Sequence, residues 1–286
     1  MLKIAPYTFG VEIECFGAPR EEVRAAFREV GLCVDNYDWN GYDSKTWVIG
    51  GDGSVVGEHA MEIKSPILKG VEGLGMLATA MDALQGIGVE ANLSCGLHVH
   101  VGVTANADRA YNFTPKMIHE LLRQWAAHET ESDLLVHPSR RAEGDSAGSK
   151  KHRNGYCQPV SNFLQNFERA VGPKMYGPEK PPEEYLSLVR GRQDYYTEAR
   201  IRELLNYQIG SGWGAYYWPS DRRYHPEQET MDLNRIETKA LGVLGNHVTA
   251  VDIYSLSRYG TVEFRQHHGT VDAKEACAWV RFVVNR

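Results

Sequence analysis

The alternating stretch at residues 7–16 reads YTFGVEIECF. Aliphatic or aromatic residues alternate there with small or acidic ones, which is the period-two pattern of a β-strand with two different faces. Glu12 and Glu14 therefore share one face. The apolar face needs a core behind it, so the stretch predicts a strand with one packed side and one charged side.

A candidate hairpin follows this first strand. Residues 46–55 (TWVIGGDGSV) predict a strand that runs into a Gly-Asp-Gly turn, and residues 59–68 (HAMEIKSPIL) predict a second strand that ends at Pro66. The hairpin carries Asp52 in its turn and Glu62 on its second strand.

The stretch at residues 96–103 (GLHVHVGV) alternates leucine or valine with histidine or glycine. His98 and His100 are two residues apart, so they face the same side of the predicted strand. Either histidine is a candidate metal ligand, and His98 is the first choice.

Two paired strands around a short turn are predicted near the end of the chain, at residues 247–256 and 258–271. In the second of them Glu263, Arg265 and His267 alternate with apolar or amide side chains. This strand therefore also presents ionisable groups on one face.

Helical spacing of apolar residues separates these strands. Gly31 is placed to stop the first helix, Thr114 with Pro115 to begin the third, and Asp272 to cap the fourth. The predicted helices cover residues 20–30, 71–85, 114–135 and 272–284.

Three segments have little periodicity. Residues 138–155 are basic and poor in apolar side chains, which is typical of a mobile surface loop, and such a loop is also where a flap over an acidic substrate would lie. Residues 172–183 are rich in proline and glycine, and the aromatic residues 210–228 suggest an insertion or a substrate lid. We therefore expect one domain over residues 1–286, with an insertion or lid near 172–228.

Composition limits the classes of function. The 286 residues are 42% hydrophobic and 24% charged, enough apolar material for a sizeable core. The net charge of -6 disfavours a surface devoted to nucleic acid, although it does not exclude a local basic groove. Five cysteines in this length lack the density and even count of a secreted disulfide framework, and the sequence predicts neither a signal peptide nor an apolar membrane span. We expect a cytoplasmic protein that does not enter a membrane.

The charged strand faces point to a metal site. Any one of them could be a solvated outer face, but together they offer Glu/Glu, Glu/Lys, His/His and Glu/Arg/His rather than the usual lysine, threonine and serine. Clustered carboxylates repel one another and stay ionised only if a cation lies among them. Oxygen ligands favour Mg²⁺ or Mn²⁺, with one histidine nitrogen. Arg265, two residues after Glu263, would add a permanent cation suited to phosphoryl chemistry.

Six motifs in this order resemble the amidoligase family of the glutamine synthetase-like superfamily. They are FGVEIE (9–14), GDGSV (51–55), MEIKSPIL (61–68), CGLHVHVG (95–102), RNGYC (153–157) and YGTVEFRQHHGTVD (259–272). The resemblance implies an α+β fold of the glutamine synthetase/guanido kinase-like type, with a curved, mainly antiparallel sheet and helices packed on one face. It also implies ATP, two or more divalent ions and ligation through an acyl phosphate.

The resemblance assigns candidate roles to particular residues. The metal ligands would come from the set Glu12, Glu14, Glu62, His98, His100 and Glu263. The family's phosphate-binding arginine corresponds to Arg265. Beyond the resemblance, Lys64, Arg140 and Arg153 are further candidates for holding the phosphates of ATP. Asp52 would accept a proton from the attacking ammonium, although its place between two glycines is equally explained by turn chemistry. One departure is Asp252, which stands where the resemblance leads us to expect asparagine.

Other functions remain open from the sequence. A metal-dependent hydrolase or oxygenase could use the His98/His100 pair, and a non-catalytic relative could bind a nucleotide or peptide in the same groove. A guanidino phosphotransferase is disfavoured because its cysteine-centred site is not found. The acid could be a small molecule or a peptide, and neither substrate nor the oligomeric state can be predicted.

Overall fold

The computed structural model describes residues 4–36, 43–104, 113–141, 157–161, 163–164 and 248–285. Within these ranges the alternating stretches form one seven-stranded sheet, and every pair of neighbouring strands is antiparallel. The strands are β1 (Thr8–Cys15), β2 (Val48–Gly51), β3 (Met61–Lys64), β4 (Leu68–Lys69), β5 (Gly96–Gly102), β6 (Val251–Asp252) and β7 (Thr261–His268). Their order across the sheet is β2-β3-β1-β5-β7-β6, with β4 also paired to β1.

The strand register gives the sheet two different faces. Ile13 lies opposite Ile63 on one side and Leu97 on the other, and all three are fully buried. The neighbouring residue Glu12 lies opposite Lys64 and His98 on the other face. The alternation in sequence is thus converted into an apolar face and an ionisable face.

Six helices and one 3-10 turn accompany the sheet within the described ranges. Thr114 accepts a hydrogen bond from the Met117 N–H at 3.1 Å, and Asp272 accepts one from the Glu275 N–H at 2.8 Å, so both predicted caps are confirmed. The helices are α1 (Arg20–Glu29), α2 (Gly70–Gly86), α3 (Pro115–Ala127), α4 (Glu129–Asp133), α5 (Ser255–Tyr259) and α6 (Ala273–Val284), with a 3-10 turn at Pro138–Arg140.

Three helices pack against the apolar face. Gly73 of α2 lies close to Phe9, Trp125 of α3 packs on Phe264 with ring centroids 5.0 Å apart, and α6 contacts α2. An α+β fold with a mainly antiparallel sheet is therefore confirmed. The more specific glutamine synthetase/guanido kinase-like assignment stays a prediction.

An extra residue in β7 adjusts the register beside the ionisable face. Val99 of β5 pairs with Phe264, but Leu97 pairs with His267, so β7 holds one more residue between these pairs than β5 does. The bulge turns His267 to the face of Leu97, so the prediction that His267 shares a face with Glu263 and Arg265 is wrong.

Two predicted elements differ from the structure. The strand predicted at 247–256 is reduced to the two residues of β6, because the Asp252 carboxylate accepts the Tyr254 N–H at 2.8 Å and starts a turn that leads into α5. The helix predicted at 114–135 is divided at His128, whose backbone leaves the helical conformation between α3 and α4.

Several other predictions concern residues outside the described ranges. Most of the 138–155 loop and all of the 172–228 region belong to this group, so the single-domain organisation stays a prediction. Among the described residues, none of the helices combines the length and hydrophobicity that a membrane span requires.

Candidate metal centre

Four neighbouring strands bring the predicted ligands onto the ionisable face. Glu12 and Glu14 come from β1, while Glu62 lies directly opposite Glu14 on β3. On the other side of β1, His98 of β5 lies opposite Glu12, and His100 lies opposite Glu263 of β7. All six predicted ligands therefore lie on one face of the sheet.

His98 lies between two groups of carboxylates. Its Nδ1 is 3.3 Å from Glu12 Oε2 and 3.5 Å from Glu263 Oε1, and its Nε2 is 3.6 Å from Glu14 Oε1. The side chain is only 3% exposed. The Nδ1 of His98 therefore faces Glu12 and Glu263, and its Nε2 faces Glu14.

Two overlapping triads of ligand atoms result. Glu12, His98 and Glu263 form the first, and Glu14, Glu62 and His98 form the second; in each, the ligand atoms lie within 4.8 Å of one another. Burial, followed by the charge of Arg265, lowers the pKa of His98 to about 3, so the imidazole is neutral near pH 7. A neutral imidazole has a single lone pair, so it can be a ligand in only one triad at a time.

The carboxylates of the second triad are held in an unfavourable environment. Burial, with the nearby charge of Asp52, raises the pKa of Glu14 to about 7. Burial, with the charge of Glu12, raises the pKa of Glu62 to about 8. A divalent cation would relieve both the repulsion and the lost hydration, so the donor set fits Mg²⁺ or Mn²⁺.

The carboxylates of the first triad behave differently from each other. Burial raises the pKa of Glu263 despite the attraction of Arg265. Burial alone would also raise the pKa of Glu12, but His100 and His98 more than compensate and hold it well below the usual range. Glu12 is therefore the most strongly acidic oxygen donor of the two triads.

The second histidine, His100, has a buried ring nitrogen whose partner depends on its protonation state. Its Nε2 is buried and makes no hydrogen bond, although it lies 3.4 Å from Glu12 Oε1. Its Nδ1 lies 3.1 Å from the Thr261 hydroxyl. Burial would lower the pKa of His100, but the charges of Glu263 and Glu12 raise it. A cation among these groups, or a proton on His100, would satisfy the orphaned nitrogen.

The predicted phosphate-binding cations differ in the groups that they contact. Lys64 Nζ lies 2.6 Å from Glu62 Oε2, and Arg265 Nη1 donates a hydrogen bond to Glu263 Oε1. Arg140 reaches the same face from the 3-10 turn at the Glu14 end. Arg153 lies outside the described residues.

Asp52 stabilises its turn and also lies near Glu14, while its role as a proton acceptor stays a prediction. Its Oδ1 accepts hydrogen bonds from the Ser54 N–H at 2.7 Å and the Ser54 hydroxyl at 2.6 Å, which stabilises the turn. The side chain is nevertheless half-buried and close enough to Glu14 to raise the pKa of that carboxyl. Asp52 therefore lies at the rim of the second triad.

A third group of ligand-type side chains is already satisfied by hydrogen bonds. His268 accepts the His137 N–H on Nδ1 at 3.2 Å, and its Nε2 lies 3.0 Å from Glu275 Oε1. His267 Nδ1 lies 2.7 Å from the His268 carbonyl oxygen. Because His268 Nδ1 accepts a hydrogen bond, its Nε2 carries the ring proton and cannot bind a metal without losing it. The hydrogen bonds of these residues therefore connect β7 to α6 and to His137.

Gly96 contributes to the site without a side chain, and sequence reasoning did not single it out. Its N–H donates a 2.6 Å hydrogen bond to Glu14 Oε2. A Cβ at this position would lie 2.8 Å from His98 Nε2 and 3.0 Å from Arg140 Nη2. Because Gly96 has no side chain, the His98 imidazole and the Arg140 guanidinium can approach the same point. In the sequence, the position of Gly96 within the CGLHVHVG motif was the only signal of this role.

Comparison with family models shows the family of the chain. The model described as "Putative amidoligase enzyme" matches residues 5–164, more than half of the sequence. The chain belongs to the amidoligase family. The matched segment contains β1, β3 and β5, and therefore Glu12, Glu14, Glu62, His98 and His100.

Glu263 and Arg265 of this amidoligase lie beyond the matched segment. They join the site because β7 pairs with β5 along most of its length. No curated protein and no solved structure matches the chain significantly.

Proposed function

We propose that this amidoligase is an ATP-dependent carboxylate–amine ligase that uses Mg²⁺ or Mn²⁺ and forms an amide through an acyl phosphate. The observation that carries the proposal is the pair of buried carboxylate triads that share His98, with arginine side chains at the same face. The acid and the amine would be small molecules or peptides.

The two triads suggest how divalent ions would be held. Glu12, Glu263 and His98 Nδ1 would hold one ion, and Glu14 with Glu62 would hold another, since His98 has a lone pair for only one of them. When bound, the ions would neutralise the triphosphate oxygens and orient them in line with the attacking carboxylate.

The cationic side chains would act on the transferred phosphoryl group. Glu263 holds the guanidinium of Arg265 at this face, where its planar positive charge would attract the phosphate oxygens. Lys64 is held in the same way by Glu62. Such preorganised cations stabilise developing negative charge with little reorganisation.

The second half of the reaction needs a base for the amine. Asp52, at the rim of the second triad, would take a proton from the ammonium group, and the free amine would then attack the acyl carbon. The carbon–oxygen bond to the phosphoryl group breaks, and inorganic phosphate leaves with the electron pair. Because the Ser54 hydrogen bonds occupy only Oδ1, the other oxygen of Asp52 can accept this proton.

A metal-dependent hydrolase or oxygenase is the main alternative. His98 Nδ1 and His100 Nε2 both approach Glu12 and Glu263, which is an arrangement of two histidines and carboxylates that such enzymes also use. Dependence on ATP distinguishes the two functions. A thiol nucleophile is disfavoured at Cys157, because burial raises its pKa to about 12.

The test is a coupled assay for ADP release over mixtures of carboxylic acids and amines with Mg²⁺ or Mn²⁺. We expect release that requires both substrates, and at least a hundredfold loss, about 3 kcal/mol, in Glu12→Gln, Glu62→Gln and Arg265→Ala. Glu120→Gln on the exposed surface of α3 is the matched control. Turnover without ATP, or wild-type activity in all three variants, would refute the proposal.

A further inference from the structure

Two hydrogen bonds fix the 3-10 turn from which the Arg140 side chain extends to the site. Its own N–H donates to the His137 carbonyl oxygen at 2.9 Å, closing the 3-10 turn. The His137 N–H in turn donates to His268 Nδ1 at 3.2 Å, at the end of β7. The turn is therefore fixed to the same strand that carries Glu263 and Arg265.

The guanidinium of Arg140 is held over Gly96. Its Nη2 donates a 2.7 Å hydrogen bond to the Cys95 carbonyl oxygen. A single point, where a Cβ of Gly96 would be, lies 3.0 Å from Arg140 Nη2 and 2.8 Å from His98 Nε2. The Gly96 N–H is bonded to Glu14. The guanidinium therefore adjoins the second triad from the side opposite Lys64.

Arg140 differs from the other two cations in what it contacts. Lys64 is paired with Glu62, and Arg265 with Glu263. The hydrogen bond of Arg140 goes to a neutral carbonyl, and no carboxylate among residues 4–36, 43–104, 113–141 and 248–285 forms an ion pair with it. A half-buried guanidinium has five donors, and the Cys95 carbonyl uses one of them.

We propose that Arg140 binds the phosphoryl group in transit from ATP to the acid, and afterwards the inorganic phosphate product, at the Glu14–Glu62 end of the site. This inference rests on the proposed function. The ion proposed on Glu14 and Glu62 would be offset by these two carboxylates, so the charge of a phosphoryl group beside them still calls for a further cation, and Arg140 has no ion pair with a described carboxylate. The planar fork of arginine suits two oxygens of such a group.

The charge of Arg140 should affect Mn²⁺ affinity and phosphate affinity in opposite directions, which a purely structural role would not do. The guanidinium repels a divalent cation in the second triad and attracts phosphate. Removing its charge should therefore leave Mn²⁺ affinity unchanged or increase it, while phosphate affinity falls. Loss of a merely structural contact would weaken both.

The experiment measures the binding of Mn²⁺ alone, and then of inorganic phosphate at saturating Mn²⁺, by titration calorimetry on the full chain. In Arg140→Gln we expect a phosphate affinity at least tenfold weaker, with Mn²⁺ affinity equal to or above that of the wild type. Arg140→Lys keeps the charge but not the fork, so its phosphate affinity should be intermediate. Arg123→Gln, an exposed arginine of α3, is the control with the same change of charge and should behave as the wild type.

Wild-type phosphate affinity in Arg140→Gln would overturn the inference, as would an equal loss of Mn²⁺ and phosphate binding. Thermal melting of each variant identifies a folding defect, and Arg140→Lys then decides the outcome. If the wild type binds Mn²⁺ but not phosphate, the inference fails while the ADP assay still decides the proposed function. If the wild type binds no divalent cation at all, the proposed function itself fails.

Discussion

Without a divalent cation, the protein should become less stable as the pH rises from about 6.5 to about 8. The raised pKa values of His100 and Glu263 act in this direction. The main groups are Glu14 and Glu62, whose pKa values are about 7 and about 8 in the folded protein. A carboxyl whose pKa is raised by folding stabilises the protein fully below its unfolded-state pKa, and this contribution is lost as the pH rises through the folded-state pKa. Both groups therefore favour the folded state at low pH.

The size of the effect follows from proton linkage. One carboxyl that stays protonated only in the folded state changes the free energy of unfolding by about 1.4 kcal/mol per pH unit. Glu62 alone should thus remove about 2 kcal/mol between pH 6.5 and pH 8, and Glu14 adds to this below its pKa of about 7. His98 has the opposite sign, but its pKa of about 3 confines its effect to lower pH, below the unfolded-state value near 6.5.

The assay is urea unfolding at several pH values, with EDTA and again with saturating Mn²⁺. In EDTA the Glu62→Gln variant should show a clearly shallower dependence on pH above about 7, because it keeps the shape of the side chain without its charge. Mn²⁺ should remove the dependence in the wild type, since the metal replaces the protons. Glu120→Gln, whose side chain is 51% exposed, should keep the wild-type slope.

Equal slopes in the wild type and Glu62→Gln would refute the reasoning. So would a metal-free protein whose stability does not change over this range of pH, because the buried carboxylates would then need no cation.

Other variants test the packing around the site and the fold. Gly96→Ala should weaken Mn²⁺ binding by about tenfold or more in calorimetry, because its Cβ would lie 2.8 Å from His98 Nε2 and one misplaced ligand costs that much. Gly75→Ala, on an open side of α2, should instead stabilise the protein by about 0.5–1 kcal/mol in urea unfolding. If the two variants lost Mn²⁺ affinity equally, the argument about Gly96 would be contradicted. Asp272→Ala removes the cap that accepts the Glu275 N–H and should cost about 1 kcal/mol of stability without changing Mn²⁺ affinity.

The face on which the charged residues lie could be predicted from the sequence because the side-chain period of a strand is fixed at two. Glu12, Glu14, His98 and Glu263 follow from alternation alone, and antiparallel pairing then places them together. The caps at Thr114 and Asp272 were equally local. The ligand roles of these side chains stay predictions that metal binding must test.

What the sequence could not show depends on contacts between distant segments. Arg140 reaches Cys95 across 45 residues of chain, and position 96 needs glycine because the Arg140 guanidinium and the His98 ring both approach it. The strand predicted at 247–256 is shortened because a side-chain hydrogen bond of Asp252 competes with continued pairing. Alternation cannot reveal such local competition. It also cannot reveal the extra residue in β7.

The most direct test of the proposed ligation is to quantify ATP, ADP, AMP, inorganic phosphate and the amide together by mass spectrometry and phosphate assay. The reactions contain Mg²⁺ and an acid and amine that support ADP release, with either substrate omitted in turn. We predict one ADP and one phosphate for each amide formed, no AMP, and no turnover in Glu12→Gln or in EDTA. Amide formation or hydrolysis without ATP, or ADP release that is unchanged when the acid is omitted, would contradict the account.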